Sequence, residues 1–184
     1  MRADENPFRT ANVHALPFLW PDGVTPDTLV RDWEALGRSG AICGPHGNGK
    51  STLLREWTDH LAGLGWEIDA LTLTEEFPRL PRGFAAKWKA SRPKTVAVLD
   101  GAEQLTRWQR RIWMQATRNA GGRVITCHAP LFLPVLLRVK TSAAQLETLL
   151  GMIPGAPEVS EKPGELLQRF GGDVRLVFRY LYDA

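Results

Sequence analysis

The chain has 184 residues, of which 43% are hydrophobic and 23% charged, with a formal net charge of +3. That balance excludes intrinsic disorder as its main description and allows one core-bearing domain, with or without a small appendage. No run of about 18 apolar residues occurs, so no membrane span is expected, and two cysteines, Cys43 and Cys127, are too few for a disulfide scaffold.

Residues 1–23 contain Pro7, Pro17 and Pro21 and read as irregular, anchored by Phe8, Phe18 and Trp20. Acids stand where a secretory signal has a basic and then an apolar stretch, so a cytoplasmic protein is expected. Thr25 and Pro26 have the chemistry of a helix cap and first turn. Leu29, Val30, Trp33 and Leu36 continue that helix until Gly37. Ala41-Ile42-Cys43 is a short apolar strand that runs into a glycine-rich stretch at 44–52. Leu53, Leu54, Trp57, Leu61 and Leu64 mark the next helix.

Residues 66–73 alternate enough to be a strand, 77–83 are a loop, and 84–90 a short basic helix. Thr95–Asp100 is a β-branched apolar run ending in an acid, the composition of a buried parallel strand. A helix is predicted over 104–119, with Leu105, Trp108, Ile112 and Ala116 on its apolar face and Gly121-Gly122 breaking it. Strands follow at 124–127 and 135–139, then helices at 142–153, 163–170 and 173–182. Alternating strands and helices imply an α/β fold with a five-stranded parallel sheet flanked by helices. The expected division is an α/β domain at 1–140 and a small helical lid at 141–184.

The stretch Gly44-Pro45-His46-Gly47-Asn48-Gly49-Lys50-Ser51 fits G-x-x-x-x-G-K-[ST], and Thr52 follows it. In such a loop the glycines let backbone N–H groups curl around a β-phosphate, with His46 contributing backbone only. Lys50 would reach the β- and γ-phosphates, and the Ser51 hydroxyl would ligate Mg²⁺. A strand before and a helix after supply the context that a P-loop requires. Asp100, at the tip of a buried strand, would be the carboxylate that holds Mg²⁺. ATP or ADP with Mg²⁺ is thus the expected ligand. P-loop ATPases usually follow that Asp with a Glu, but position 101 is Gly and the nearest acid is Glu103. Glu103 either polarises the attacking water or is an N-terminal acid of the next helix.

These residues resemble the AAA+ ATPases, near the bacterial origin-recognition, clamp-loader and transposon-associated branch. The resemblance spans about 6–182 and rests on GPHGNGKST, VAVLDGAEQL, the strand ending Thr126-Cys127-His128, and Phe170-Gly171-Gly172-Asp173-Val174-Arg175. It implies sheet order 5-1-4-3-2, with Cys43 and Cys127 at the ends of adjacent strands. It also implies a first sensor at Thr126 or His128 and a second sensor, reaching the γ-phosphate, at Arg175. Asn6-Pro7-Phe8 would border the adenine. Thr126, His128 and Arg175 also have plain readings: a strand-end residue, a structural histidine, and a helix-start residue in a surface ion pair. The connection 128–134 is too short for the family's helix with an arginine finger, and Arg118, Arg123 and Arg138 offer no clear substitute. A constitutive ring is therefore not implied.

The charge is unevenly spread. Residues 1–76 carry 6 Lys/Arg against 12 Asp/Glu, residues 77–146 carry 13 against 2, and residues 147–184 carry 4 against 6. The basic block either meets a nucleic acid or pairs with the acidic flanks. Its two clusters are Arg79, Arg82, Lys87, Lys89, Arg92 and Lys94 around Trp88, and Arg107, Arg110, Arg111 and Arg118 on the helix with Trp113. Trp88 or Trp113 could stack on a base, with burial in the core as the plainer reading. Three functions remain open: a slow ATPase acting on or responding to nucleic acid, a nucleotide-dependent protein switch or assembly factor with little turnover, and a small-molecule kinase. Neither a guanine-recognition motif nor a transporter signature is present.

Overall fold

The computed structural model describes residues 6–88, 92–155 and 159–183. Lys89, Ala90 and residues 1–5, all part of the sequence reading, lie outside the described residues. The described chain falls into two compact units.

One unit holds residues 20–44 and 50–138 and carries the sheet. Its strands are β1 (Ser39–Cys43), β2 (Glu67–Thr72), β3 (Arg92–Asp100), β4 (Ala120–Cys127) and β5 (Val135–Arg138). All pairings are parallel, and the order is β2-β3-β4-β1-β5, which read from the β5 edge is 5-1-4-3-2. Central strands of a parallel sheet are covered on both faces, so their residues are apolar without alternation. Val96 through Leu99 in β3 and Val124 through Cys127 in β4 are all buried.

On one face Ala41, Cys43, Ala97, Leu99, Ile125 and Cys127 pack against Trp88, Leu105 and Trp113. These tryptophans come from α4 (Phe84–Lys87), where Trp88 is the C-terminal cap, and α5 (Arg107–Ala116). The other face belongs to α2 (Pro26–Ala35) and α3 (Lys50–Gly63). Trp33 of α2 is fully buried, sits edge-on to Trp57 and Trp66, and donates its indole N–H to the Arg123 carbonyl at 3.2 Å.

Thr25 caps α2 as expected, in a reciprocal pair with Thr28. Three other expectations need correction. The predicted helix over 104–119 is broken into a 3-10 turn (Ala102–Gln104), α5 and a second 3-10 turn (Thr117–Asn119). The cause is Thr106, which caps α5 with Gln109 and forces a fresh start there. Gly121 and Gly122 do not break anything; they lie inside β4. A Cβ at 121 would run into the Pro93 carbonyl, and one at 122 into the Trp33 ring, so close packing demands glycine at both. Residues Thr10–His14, expected to be irregular, form α1.

The other unit holds residues 6–19, 45–49, 139–155 and 159–183. It therefore joins the N-terminal segment and the tip of the glycine loop to the helical tail, α6 (Ala143–Gly151), α7 (Pro163–Arg169) and α8 (Val174–Asp183). Its own core holds Phe8, Leu146, Leu166, Val177 and Phe178. Asn6 donates its amide to the Tyr182 carbonyl at 2.8 Å, which ties the start of the described chain to its end. No helix among the described residues is long and apolar enough to cross a membrane.

Candidate functional site

Three strands of the sheet unit end side by side, and their last residues bring the titratable and hydroxyl groups together. β1 and β4 end in register at Cys43 and Cys127, and β3 ends at Asp100 next to them. The carboxyl edge of a parallel sheet is where such folds place ligands, because the loops leaving it are free to carry chemistry.

Thr126 is almost fully buried, and its hydroxyl donates to Asp100 Oδ1. The Thr126 hydroxyl oxygen in turn accepts the Gly101 N–H at 2.9 Å. Asp100 is thus oriented by its neighbour strand, while Oδ2 has no hydrogen-bond partner among the described residues. Gly101 has φ +83°, and a Cβ there would lie 2.5 Å from the Leu73 carbonyl. This is the physical reason no glutamate follows Asp100: the chain turns through left-handed space against a backbone wall.

Glu103 comes next, on the 3-10 turn. It is the acid in the first turn of that short 3-10 helix, as its helix-start reading had it, and not of α5, whose first turn carries none. Its Oε1 lies 3.1 Å from His128 Nε2, just beyond the end of β4. Its Oε2 is buried with no hydrogen-bond partner among the described residues. A buried carboxylate oxygen without a donor is costly, and it persists where another group or a ligand is meant to meet it.

Lys50 begins α3 and donates Nζ to the Gly44 carbonyl at 2.8 Å, while the Gly44 N–H donates to the Cys127 carbonyl at 3.1 Å. Ser51 is exposed and Thr52 half-buried on the first turn of α3. The Cys43 and Cys127 sulfurs are 3.3 Å apart, and both are free, buried thiols. Burial pushes the Cys127 thiol up to about 12, the Cys43 contact and the Glu103 charge add to this, and Lys50 opposes it. Among the described residues no group of three or more His, Cys, Asp or Glu forms a metal cage.

In the helical unit, Asn48 is 3% exposed and fully used. Its Nδ2 donates to the His46 and Gly172 carbonyls at 2.8 and 2.9 Å, and its Oδ1 accepts the Thr141 N–H at 2.8 Å. Gly47 has φ +69°, and a Cβ on it would strike the Asp173 carboxylate; Gly49 has φ +77°, and its Cβ would press on Phe18 at 3.2 Å. Pro45 and His46 are exposed. Asp173 caps α8 by accepting the Arg175 and Leu176 N–H groups at 2.9 and 3.3 Å. The Arg175 side chain is exposed and makes no ion pair among the described residues.

Sequence reasoning singled out Asp100, Glu103, Thr126 and His128 but not their pairings, which join positions 26 and 25 apart in the chain. It also passed over the anchoring role of Asn48. The stacking candidates Trp88 and Trp113 are buried, at 3% and 1%, whereas Trp108, assigned to the apolar face, is 68% exposed. No protein-family model matches the chain, and no curated protein matches it.

Proposed function

We propose that this chain is a P-loop ATPase of the AAA+ type that binds Mg·ATP at residues 44–51, turns it over slowly, and responds to nucleic acid. One observation carries the reading: Lys50, Thr126-bound Asp100 and the Glu103–His128 pair lie on the strand ends and adjoining segments at the carboxyl edge of one parallel sheet. The donor set suits Mg²⁺, which takes one or two carboxylates plus substrate phosphates rather than an all-protein cage. Asp100, with Oδ2 open, and the exposed Ser51 hydroxyl would hold it. When bound, the ion neutralises charge on the phosphate oxygens.

Lys50 exchanges the Gly44 carbonyl for the phosphates, Thr126 keeps Asp100 in place, and Glu103 orients water and accepts its proton. His128 keeps Glu103 from swinging away. Displacement of the glutamate by two positions from the usual place makes turnover slow.

Nucleotide binding and phosphate release by the purified chain test this reading. Lys50→Ala removes a charge-assisted bond and should weaken binding roughly ten- to a hundredfold. Glu103→Gln should bind normally and lose on the order of a hundredfold in turnover. Undiminished binding in Lys50→Ala overturns the site. Parent-rate turnover in Glu103→Gln leaves a nucleotide switch with little hydrolysis, which the engagement of Glu103 by His128 also favours.

A further inference from the structure

α5 presents two faces of different character. Trp113 points its bulk into the sheet-side core and is 1% exposed. Trp108, five positions earlier, is 68% exposed, and Ile112 and Ala116 beside it are only half-buried. Together with Ala85 and Trp88 from α4 they line a groove of about 520 Å³. Arg111 and Arg118 stand in the same wall, both exposed and both without an ion pair among the described residues. Arg107, one turn before Arg111, is likewise exposed and unpaired. The indole N–H of Trp88 is buried and has no hydrogen-bond partner among the described residues. The groove walls carry no acid.

We propose that this groove is the nucleic-acid site and that its occupant is a single strand, with a base stacked on Trp108 and the flanking phosphates on Arg111 and Arg118. The inference rests on the nucleic-acid half of the function proposed above and assigns it a place and a form of ligand. Charge complementarity selects a polyanion. The aromatic narrows it: a solvent-exposed indole in a basic groove is a stacking platform for an unpaired base, whereas the bases of a duplex are already stacked on each other. Stacking accepts any base, so the site reads no sequence. An acidic peptide would satisfy the arginines but would leave the indole face unmatched.

Fluorescence anisotropy of a labelled 20-mer of thymidine, with a 20-base-pair duplex and a polyglutamate peptide as competitors, tests this on the full chain. The single strand should bind more tightly than either competitor. Trp108→Ala should weaken it about tenfold and Trp108→Phe by much less. Arg111→Ala and Arg118→Ala should each flatten the log–log salt slope by about 0.7. All three positions are exposed at the groove wall, and an unchanged thermal midpoint confirms folding. Equal affinity of Trp108→Ala and the parent overturns the stacking site. Binding of DNA that ignores every groove substitution also overturns it while leaving the nucleic-acid reading standing. Tighter binding of polyglutamate overturns the identity of the ligand. If no DNA binds at about 50 mM salt, both fall together, and nucleotide binding, measured separately, is untouched.

Discussion

The carboxyl edge of the sheet and the groove beside α5 belong to one unit, yet they use their polar groups in opposite ways. At the edge each side chain engages a neighbour within the protein: Thr126 holds one oxygen of Asp100, His128 one oxygen of Glu103, and Lys50 the Gly44 carbonyl. In the groove Arg111 and Arg118 have no acid partner among the described residues, and Trp108 faces solvent. Mutual bonds hold atoms in place, which suits chemistry at one point. Unpaired cations on long side chains suit a polyanion whose exact register does not matter.

The two basic clusters show the same contrast. Lys87 and Arg92 both pair with Asp69, at 2.6 and 2.7 Å, and Arg92 also covers the Trp88 ring. That part of the block therefore answers an acidic flank, as one of the two sequence readings held. Arg107, Arg111 and Arg118 answer nothing within the described chain.

The comparison breaks most visibly at the two tryptophans of α5. Trp113→Ala empties a core position and should cost about 3–5 kcal/mol, while Trp108→Ala should stay within about 0.5 kcal/mol of the parent. Urea unfolding of both variants measures the difference, and a similar cost for both would mean that the face bearing Trp108 is also core.

A smaller effect is expected at the strand ends. Thr126→Val keeps the shape but removes the hydroxyl that serves Asp100 and the Gly101 N–H. The loss should be about 1–3 kcal/mol, because two groups lose their shared partner. Under the proposed function, the Mg²⁺ dependence of nucleotide binding should weaken with it. A stability equal to the parent would show that Asp100 needs no orienting bond.

The smallest effect concerns the thiols. Cys127 has its folded value raised from 9.0 to about 12, so the protonated form is favoured by folding. That contribution is complete below about 9 and is lost as the pH climbs towards 12. Alkylation at pH 8 should therefore be slow in the native protein and fast after unfolding. Rapid native-state labelling of both cysteines would contradict the burial of this edge.

Much of the fold was legible because local signals agree with the tertiary result. The alternation of apolar strands with helices, the Thr25-Pro26 cap and the loop at 44–51 are written in short windows. The helix over 104–119 misled because its apolar spacing continues through Thr106, and only the capping pair with Gln109 breaks it. Periodicity finds an amphipathic helix; it does not say which face meets the sheet when tryptophans stand on both.

The sequence by itself determined the class of fold and the residue types at the strand ends, since glycine, lysine and carboxylate chemistry is carried by identity and spacing. Only the tertiary structure decided their partners. Asp100 meets Thr126 because β3 and β4 are neighbours, and Glu103 meets His128 because a glycine at 101 turns the chain in left-handed space. It also decided that Gly121 and Gly122 are contact points and that Trp108 is left outside. Those outcomes depend on which surfaces come within a few ångströms of each other across the chain, and no local window contains that distance.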